Sequence, residues 1–310
     1  MTAHKRFEAV VRGESVDRVP VTTWVHFLSD HLTGEETAWL HERFQEAYDW
    51  DIIKVMGDYR YPVPEGMYAL NDPKTLLEMR PLSMDEPCFR LQLDCLKRLQ
   101  DSIGKHAPLI DTGFDPYQSI VRNIGRNQQD ALWKYKKETL QALEVVCETI
   151  CNYVQELKKL GVEGYFYSMN SCIPDGFPRG VSDEVYETFL RPFDLRVLRA
   201  SEGLVRVLHV HGTGLRRDRL KDYPFEVINL SDRAEHNPSL RELRSWTDKC
   251  IMGGLDETTF ADISLATMAA EIDQAVSDAG EGGFILAPGC TLQSYTPRRS
   301  LDFLRSYTRR

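Results

Sequence analysis

Two histidines, His209 and His211, stand two residues apart in the apolar segment VRVLHVH. Successive side chains of a β-strand point to opposite faces, so this spacing predicts both imidazoles on one face and Val210 on the other. A lone buried histidine is more often a satisfied core residue than a ligand. A pair on one face, followed directly by Gly-Thr-Gly, is better explained by a functional site.

A cysteine, Cys290, ends another apolar segment, GFILAPGC. Together with His209 and His211 it supplies two imidazoles and one thiolate. Three nitrogen or sulfur ligands with a fourth position left open are typical of a catalytic zinc site rather than a structural one. We therefore predict that these three residues bind zinc, and a different metal stays open because imidazole suits several.

Two aspartates, Asp58 and Asp256, end the apolar segments DIIKVMGD and CIMGGLD. Carboxylates at such places can orient a substrate or accept a proton, so both are predicted to be catalytic. The alternative is that polar residues mark only the points where strands stop, since turns favour the same residue types.

These residues all lie at the ends of short apolar segments that alternate with amphipathic helical ones. Eight strands are predicted, at 19–27, 51–58, 107–112, 162–168, 205–211, 226–232, 250–256 and 283–290. Apolar strands that alternate with helices favour a parallel sheet. No GxGxxG turn follows the first strand, and a count of eight favours closure over an open doubly wound sheet. The prediction is an α/β fold, one (β/α)8 TIM barrel over residues 1–310 with an N-terminal helical extension.

In such a barrel the carboxyl ends of the strands share one face, which carries the active site. Residues that are far apart in sequence, such as His209 and Cys290, are therefore expected to meet there.

The composition narrows the class of protein. The 310 residues are 42% hydrophobic and carry a net charge of −9, which disfavours nucleic acid or an anionic membrane surface as a main partner. The first 20 residues have no apolar signal-peptide region, and no stretch approaches 18 apolar residues. Seven cysteines, an odd number, indicate reduced thiols and a cytoplasmic protein.

Almost the whole chain resembles the uroporphyrinogen decarboxylase superfamily. The resemblance rests on the order and spacing of GESVDRVPV, DIIKVMGDYRYPV, HVHGTG, GGLDE and LAPGCTLQSYTP. This superfamily also contains methylcobamide:coenzyme M methyltransferases and other corrinoid-linked methyltransferases. It implies a TIM barrel, and homodimers are common among its members.

The decarboxylase branch is the poorer match. Its members carry an arginine-rich RQAGRYL-type segment after the first strand, where this chain reads VHFLSDHLTG, without arginine. Asp58 is the counterpart of the aspartate that faces the pyrrole nitrogens in that branch. The glycine-histidine of the last strand is Gly289-Cys290 here. These differences disfavour uroporphyrinogen as the substrate.

The methyltransferase branch typically binds zinc through His-x-Cys on strand five and a cysteine that ends strand eight. His209 and Cys290 match the outer ligands, whereas His211 stands where that branch has cysteine. One thiolate in place of two leaves the zinc more Lewis acidic, and it leaves a bound thiolate less nucleophilic.

Three interpretations of the function stay open. The first is a zinc-dependent methyl or alkyl transferase that acts between a corrinoid on a partner protein, or a methylated small molecule, and a thiol-type acceptor. The second is a metal-free decarboxylase or lyase that acts on a small carboxylated substrate with Asp58 as its acid/base group. The third is a barrel that binds a cofactor or corrinoid without chemistry. Clustered titratable groups at one face favour an enzyme.

Overall fold

The fold is built on seven parallel strands. The computed structural model describes residues 1–170 and 172–309. The strands are β1 (Ile53–Val55), β2 (Leu109–Phe114), β3 (Gly164–Met169), β4 (Val205–Val210), β5 (Val227–Leu230), β6 (Cys250–Leu255) and β7 (Phe284–Pro288). Their order in the sheet follows their order in the chain, and every neighbouring pair is parallel. The predicted α/β class and parallel, sequential sheet are confirmed.

Helices follow most of the strands. They are α1 (Ala3–Val11), α2 (Gly34–Tyr48), α3 (Pro87–Asp101), α4 (Pro116–Ile124), α5 (Gln129–Lys134), α6 (Lys136–Leu160), α7 (Asp183–Val185), α8 (Arg191–Ala200), α9 (Leu240–Trp246), α10 (Leu265–Ala279) and α11 (Arg298–Tyr307). Several begin at side chains that cap the first amides, such as the reciprocal capping box of Thr33 and Glu36 at α2. In the described part of the chain, no helix is both long and apolar enough to cross a membrane.

The predicted first strand, at 19–27, is not a strand in the structure. It forms two isolated bridges, Val21 with Leu286 and Val25 with Leu292. Pro20 has no amide hydrogen, and the Val21 amide donates to the Asp51 carboxylate at 3.0 Å rather than to a neighbouring strand. With these donors missing from the ladder, no regular strand forms at 19–27, and the described residues form seven strands in place of the predicted eight.

This segment nevertheless lies between the two edge strands. The Thr22 amide donates to the Leu286 carbonyl at 3.1 Å, and the Asp51 amide donates to the Val21 carbonyl at 3.0 Å. Residues 20–25 therefore bond to β7 on one side and to the start of β1 on the other. The sheet is curled, with an inside face and a face that packs against helices.

Alternation along β4 shows which side chains reach the inside. Val207 belongs to the inner cluster of buried side chains, whereas Leu208 and Val210 pack in the layer between sheet and helices. His209 therefore shares the inner face with Val207, as the two-residue period predicts. At the amino end of the strands, Phe7 and Val10 of α1 complete the inner cluster.

Candidate active site

A cavity of about 520 Å³ opens at the carboxyl ends of the strands. The side chains that matter for its chemistry are His26, Lys54, Arg60, Arg122, Arg126, Arg179, His209, His211 and Cys290. None of the described residues that line it is aspartate or glutamate. The cavity therefore combines metal-binding side chains with an excess of positive charge, although the whole chain is acidic.

His209 is buried and held in one orientation. Its Nδ1 lies 2.6 Å from Asn229 Oδ1, and its ring stacks on Phe166 with centroids 4.9 Å apart. The Asn229 amide donates to the Met252 and Pro288 carbonyls, so its oxygen accepts from His209. The hydrogen is thus on Nδ1, and Nε2 is left with a free lone pair, which is how metal-binding histidines are usually oriented.

The other two predicted ligands lie beside His209. The Cys290 sulfur is 3.5 Å from His211 Nδ1, and the rings of His209 and His211 have centroids 5.6 Å apart. One ligand atom from each of the three residues lies within 4.8 Å of the others. Ligands of a tetrahedral zinc are about 3.5 Å apart, so small rotations would complete the site. The predicted cluster of three is present in the structure, and its donor set fits a metal.

Their protonation also suits metal binding. Burial lowers the pKa of His209 and lowers that of His211 to about 4, with the nearby positive charge of Arg179 acting in the same direction. Both imidazoles are therefore neutral at physiological pH, as ligands must be. Burial raises the pKa of Cys290, so its thiol keeps its proton until a cation binds.

A glycine before Cys290 lets the end of β7 approach β5. A side chain at Gly289 would stand 2.4 Å from the Ser231 Cα and 2.7 Å from the Leu230 carbonyl oxygen. Only glycine fits at this distance, so Gly289 lets Cys290 line the cavity beside His211.

Asp58 reaches the cavity only through another residue. Its carboxylate lies 2.6 Å from His26 Nδ1 and accepts from the Ser29 amide and hydroxyl at 3.2 and 3.0 Å. Burial acts to raise the pKa of Asp58, but these hydrogen bonds outweigh it and hold the pKa at about 2. Asp58 is thus a fixed anion behind His26 and does not itself face a substrate.

Asp256, the other predicted catalytic aspartate, does not line the cavity. Strand β6 ends at Leu255, and the Asp256 carboxylate accepts from the Thr258 amide at 2.8 Å and from its hydroxyl. This is the turn-capping role that aspartate commonly has after a strand. Its neighbour Glu257 is the carboxylate that turns inward, toward Ser231. The geometry thus favours the turn interpretation for Asp256.

The profile of the uroporphyrinogen decarboxylase (URO-D) family matches residues 56–310, most of the chain. The chain belongs to the URO-D family. This match confirms the family resemblance that was inferred from the sequence motifs. A relative from the methyltransferase branch supports the same assignment. Over 333 aligned residues, 97% of this chain and 96% of the relative, the sequence is 20% identical to the methylcobamide:CoM methyltransferase MtbA of Methanosarcina acetivorans.

Solved structures show the same fold. A methyltransferase from Methanosarcina mazei superimposes with a TM-score of 0.80 at 18% identity, covering 100% of this chain and 98% of that one. A B12-independent methionine synthase from Shewanella sp. W3-18-1 gives a TM-score of 0.57 at 15% identity, covering 89% and 86%. The URO-D chain therefore has the TIM-like fold of these enzymes.

Sequence reasoning missed a buried lysine in this URO-D family site. Lys54 is 6% exposed, and its Nζ lies 4.2 Å from the centre of the Phe166 ring and 4.9 Å from that of Trp24. It donates to Thr112 Oγ1 at 2.8 Å. Burial lowers its pKa to about 7. The available signal was a lysine in the middle of the apolar segment DIIKVMGD, where a buried strand rarely has a charge.

Four arginines were missed as well. We call them the arginine group, and they are Arg60, Arg122, Arg126 and Arg179. Arg122 lies 3.7 Å from the centre of the Phe114 ring, and one Arg126 nitrogen, Nη1, is buried without a hydrogen-bond partner in the described chain. No salt bridge to a carboxylate is found for the group within residues 1–170 and 172–309. The arginine group comes from helical and loop positions that are far apart in sequence. No sequence pattern therefore predicted that these four side chains would meet.

Proposed function

We propose that this URO-D family member is a zinc-dependent methyltransferase that moves a methyl group from a corrinoid, carried by a partner protein, to the thiol of a small anionic acceptor. The observation that carries the proposal is the cluster of His209, His211 and Cys290 at the floor of a cavity that the arginine group borders. The name of the Methanosarcina acetivorans relative, a methylcobamide:CoM methyltransferase, supports the same class of reaction.

Three side chains would hold the metal, and a fourth orients one of them. His209 offers Nε2 because Asn229 accepts from its Nδ1, and His211 and Cys290 offer their atoms from the ends of β4 and β7. Bound there, zinc would supply the positive charge that favours ionisation of Cys290 and of an acceptor thiol. With one thiolate among the three ligands, more of that charge is left to act on the acceptor than in a site with two.

The arginine group would bind the anionic end of the acceptor. Guanidinium groups recognise carboxylate, sulfonate and phosphate through paired hydrogen bonds. The Arg122 guanidinium already lies 3.7 Å from the centre of the Phe114 ring, so less side-chain freedom is lost when an anion binds. Because the cavity has no lining carboxylate among the described residues, an anion meets no competing negative charge there.

The decarboxylase alternative has less support. It needs Asp58 as an acid/base group that faces the substrate, yet both Asp58 oxygens are occupied by His26 and Ser29. A dimeric state and a cytoplasmic location stay predictions.

The first experiment measures metal content and methyl transfer. The purified protein is expected to bind about one zinc per chain and, when loaded with zinc, to demethylate methylcobalamin in the presence of 2-mercaptoethanesulfonate. Cys290→Ala should lose the zinc and lower the rate about 100-fold or more, because only two ligands remain. The exposed His236→Asn is the matched control. Full activity in metal-free protein, or in Cys290→Ala, would rule the proposal out.

The same assay tests the anion site. Arg122→Met is expected to lower kcat/KM for 2-mercaptoethanesulfonate roughly 10- to 100-fold, the usual effect of losing a charged hydrogen bond. It should leave the neutral thiol 2-mercaptoethanol nearly unaffected. Arg43→Met, on the exposed face of α2, is the control. An equal loss with both thiols would show that the arginines do not recognise the anion.

A further inference from the structure

One histidine of the cavity has no place in the proposed metal cluster. His26 follows the segment 20–25, lines the cavity, and keeps 36% of its side chain exposed. Its Nδ1 lies 2.6 Å from Asp58 Oδ1, the only hydrogen bond of the ring in the described chain. The other nitrogen, Nε2, is therefore left for whatever occupies the cavity.

The hydrogen bond fixes which nitrogen of His26 carries the proton. Asp58 is ionised, because its hydrogen bonds hold its pKa at about 2 against the effect of burial. A carboxylate can only accept, so Nδ1 must donate, and in the neutral ring Nε2 is a bare lone pair. Ser29, fully buried, holds the other Asp58 oxygen, so the carboxylate cannot turn away. A histidine oriented in this way by a carboxylate can accept a proton at Nε2.

The backbone places His26 beside the loop that carries Cys290. Val25 bridges Leu292, and the Ser294 hydroxyl donates to the His26 carbonyl at 3.1 Å. Leu28, in the same turn, has a φ of 55°, which costs energy in a bulky residue and which the surrounding contacts must maintain. Val25 and His26 are thus bonded to Leu292 and Ser294, two and four residues after the proposed metal ligand Cys290.

The other basic groups of the cavity are poorly suited to take a proton from the acceptor. His209 and His211 would be occupied by the metal, and the arginine group stays protonated. Lys54 donates to Thr112 Oγ1, and its Nζ lies over the Phe166 and Trp24 rings, contacts that favour its protonated form. Among the described lining residues, His26 is the one imidazole without another role, so it is available to accept the proton.

We propose that His26 is the catalytic base that accepts the acceptor's thiol proton, and that Asp58 is the residue that positions it. This inference rests on the proposed methyl transfer. The S–H bond breaks and its proton passes to His26 Nε2. The sulfur lone pair forms the bond to the methyl carbon while the cobalt–carbon bond of the methylated corrinoid breaks, and that electron pair stays on cobalt. The proton then leaves His26 for solvent, to which the ring is open.

The test uses His26→Gln in zinc-loaded protein, with methylcobalamin as donor and 2-mercaptoethanol or thiophenol as acceptor. Glutamine keeps a hydrogen bond to Asp58 but cannot take a proton. At pH 7 the rate with 2-mercaptoethanol is expected to fall on the order of 100-fold or more. The loss should shrink as pH rises toward the thiol's own ionisation, and it should nearly vanish with thiophenol, which is largely ionised already. Asp58→Asn should show the same pattern more weakly.

The matched control is His31→Gln, an exposed histidine five residues on, which should match the wild type. Zinc content and the unfolding midpoint of each variant identify a merely structural defect, because such a defect would lower the rates with both thiols equally and at every pH. That outcome, or a His26→Gln rate equal to wild type, overturns the role of His26 alone. If the wild type itself transfers no methyl group to either thiol, the proposed function fails and this inference fails with it.

Discussion

His211 is the residue at which the sequence resemblance predicts a departure from the methyltransferase branch of the family. Its Nδ1 lies 3.5 Å from the Cys290 sulfur, and the resemblance implies a second cysteine at this position in that branch. An imidazole in place of a thiolate would remove one negative charge from the ligands of the proposed zinc. More of the zinc's positive charge would then act on a bound acceptor. An acceptor thiol would become more acidic, and its thiolate would become a weaker nucleophile.

His211→Cys tests this exchange directly. The variant is expected to keep its zinc, because two cysteines and a histidine also make a catalytic site. Methyl transfer from methylcobalamin should lose rate at pH 6 to 7 and gain rate at high pH, since a bound thiol would ionise less readily but react faster once ionised. A pH–rate profile measured beside that of wild type is the readout. An unchanged profile would show that the ligand charge does not govern the reaction.

The sequence predicted some residues of the site and not others, for a physical reason. His209 and His211 sit on one strand, where the two-residue period fixes their common face, and Cys290 ends another strand at the same edge. Lys54 and the arginine group come from strand, helix and loop positions that no local period relates. The sequence also gave no sign that His26 lines the cavity while Asp58 lies behind it. Only the folded chain shows this order.

At the scale of elements, the loop after β3 carries Arg179 into the cavity, and Arg219 holds that loop. Arg219 is 3% exposed and donates to the carbonyls of Ile173 and Val181, both at 2.9 Å. A bridge between Pro174 and Val181 closes the loop on itself. The position of Arg179 therefore depends on contacts outside the cavity.

Arg219→Met is expected to loosen the loop and to raise KM for 2-mercaptoethanesulfonate about tenfold, because the anion loses one preplaced guanidinium. Zinc content should not change, since no ligand lies on this loop. The neighbouring Arg217→Met, on the exposed side of the same turn, is the control. Loss of zinc in Arg219→Met, or an unchanged KM, would contradict this role of the loop.

The elements themselves were predicted well where the strands are regular. The predicted strands at 51–58, 107–112, 162–168, 205–211, 226–232, 250–256 and 283–290 all correspond to strands of the sheet, although β1 covers only Ile53–Val55. The segment 19–27 has the composition of a strand, but Pro20 and the Asp51 side chain disturb its ladder. Strand propensity depends on local sequence, so it does not reveal that the Val21 amide bonds to a carboxylate 30 residues away.

At the scale of the whole molecule, buried neutral histidines make stability depend on pH. Burial lowers the pKa of His41 to about 4, and that of His211 likewise. Below pH 6.5 the unfolded chain takes up protons at these positions, whereas the folded chain does so only near pH 4. The free energy of unfolding therefore falls as pH drops through this window, by up to about 3 kcal/mol for each histidine. Asp58 adds a further loss only below its unfolded pKa of about 4.

Urea denaturation of metal-free protein between pH 7.5 and 4.5 is expected to show this loss. In His41→Gln the slope should be smaller, because one of the titrating groups is gone. No gain in stability is expected for this variant at pH 7.5, because the Met56 amide donates to His41 Nε2 in the wild type. His236→Gln, at an exposed position, should keep the wild-type slope. Parallel curves for His41→Gln and wild type would refute the assignment.

Residues 20–25, which lie between β7 and β1 in the folded protein, also determine when the active site can form during synthesis. His26 and Ser294, which are hydrogen-bonded in the finished protein, are 268 residues apart in sequence. Nascent chains usually fold from the amino end as they leave the ribosome, but this contact must wait until the last strand and the loop after it have emerged. Until then the inner apolar face stays open along one seam, and the growing chain is exposed to aggregation for almost the whole of its translation.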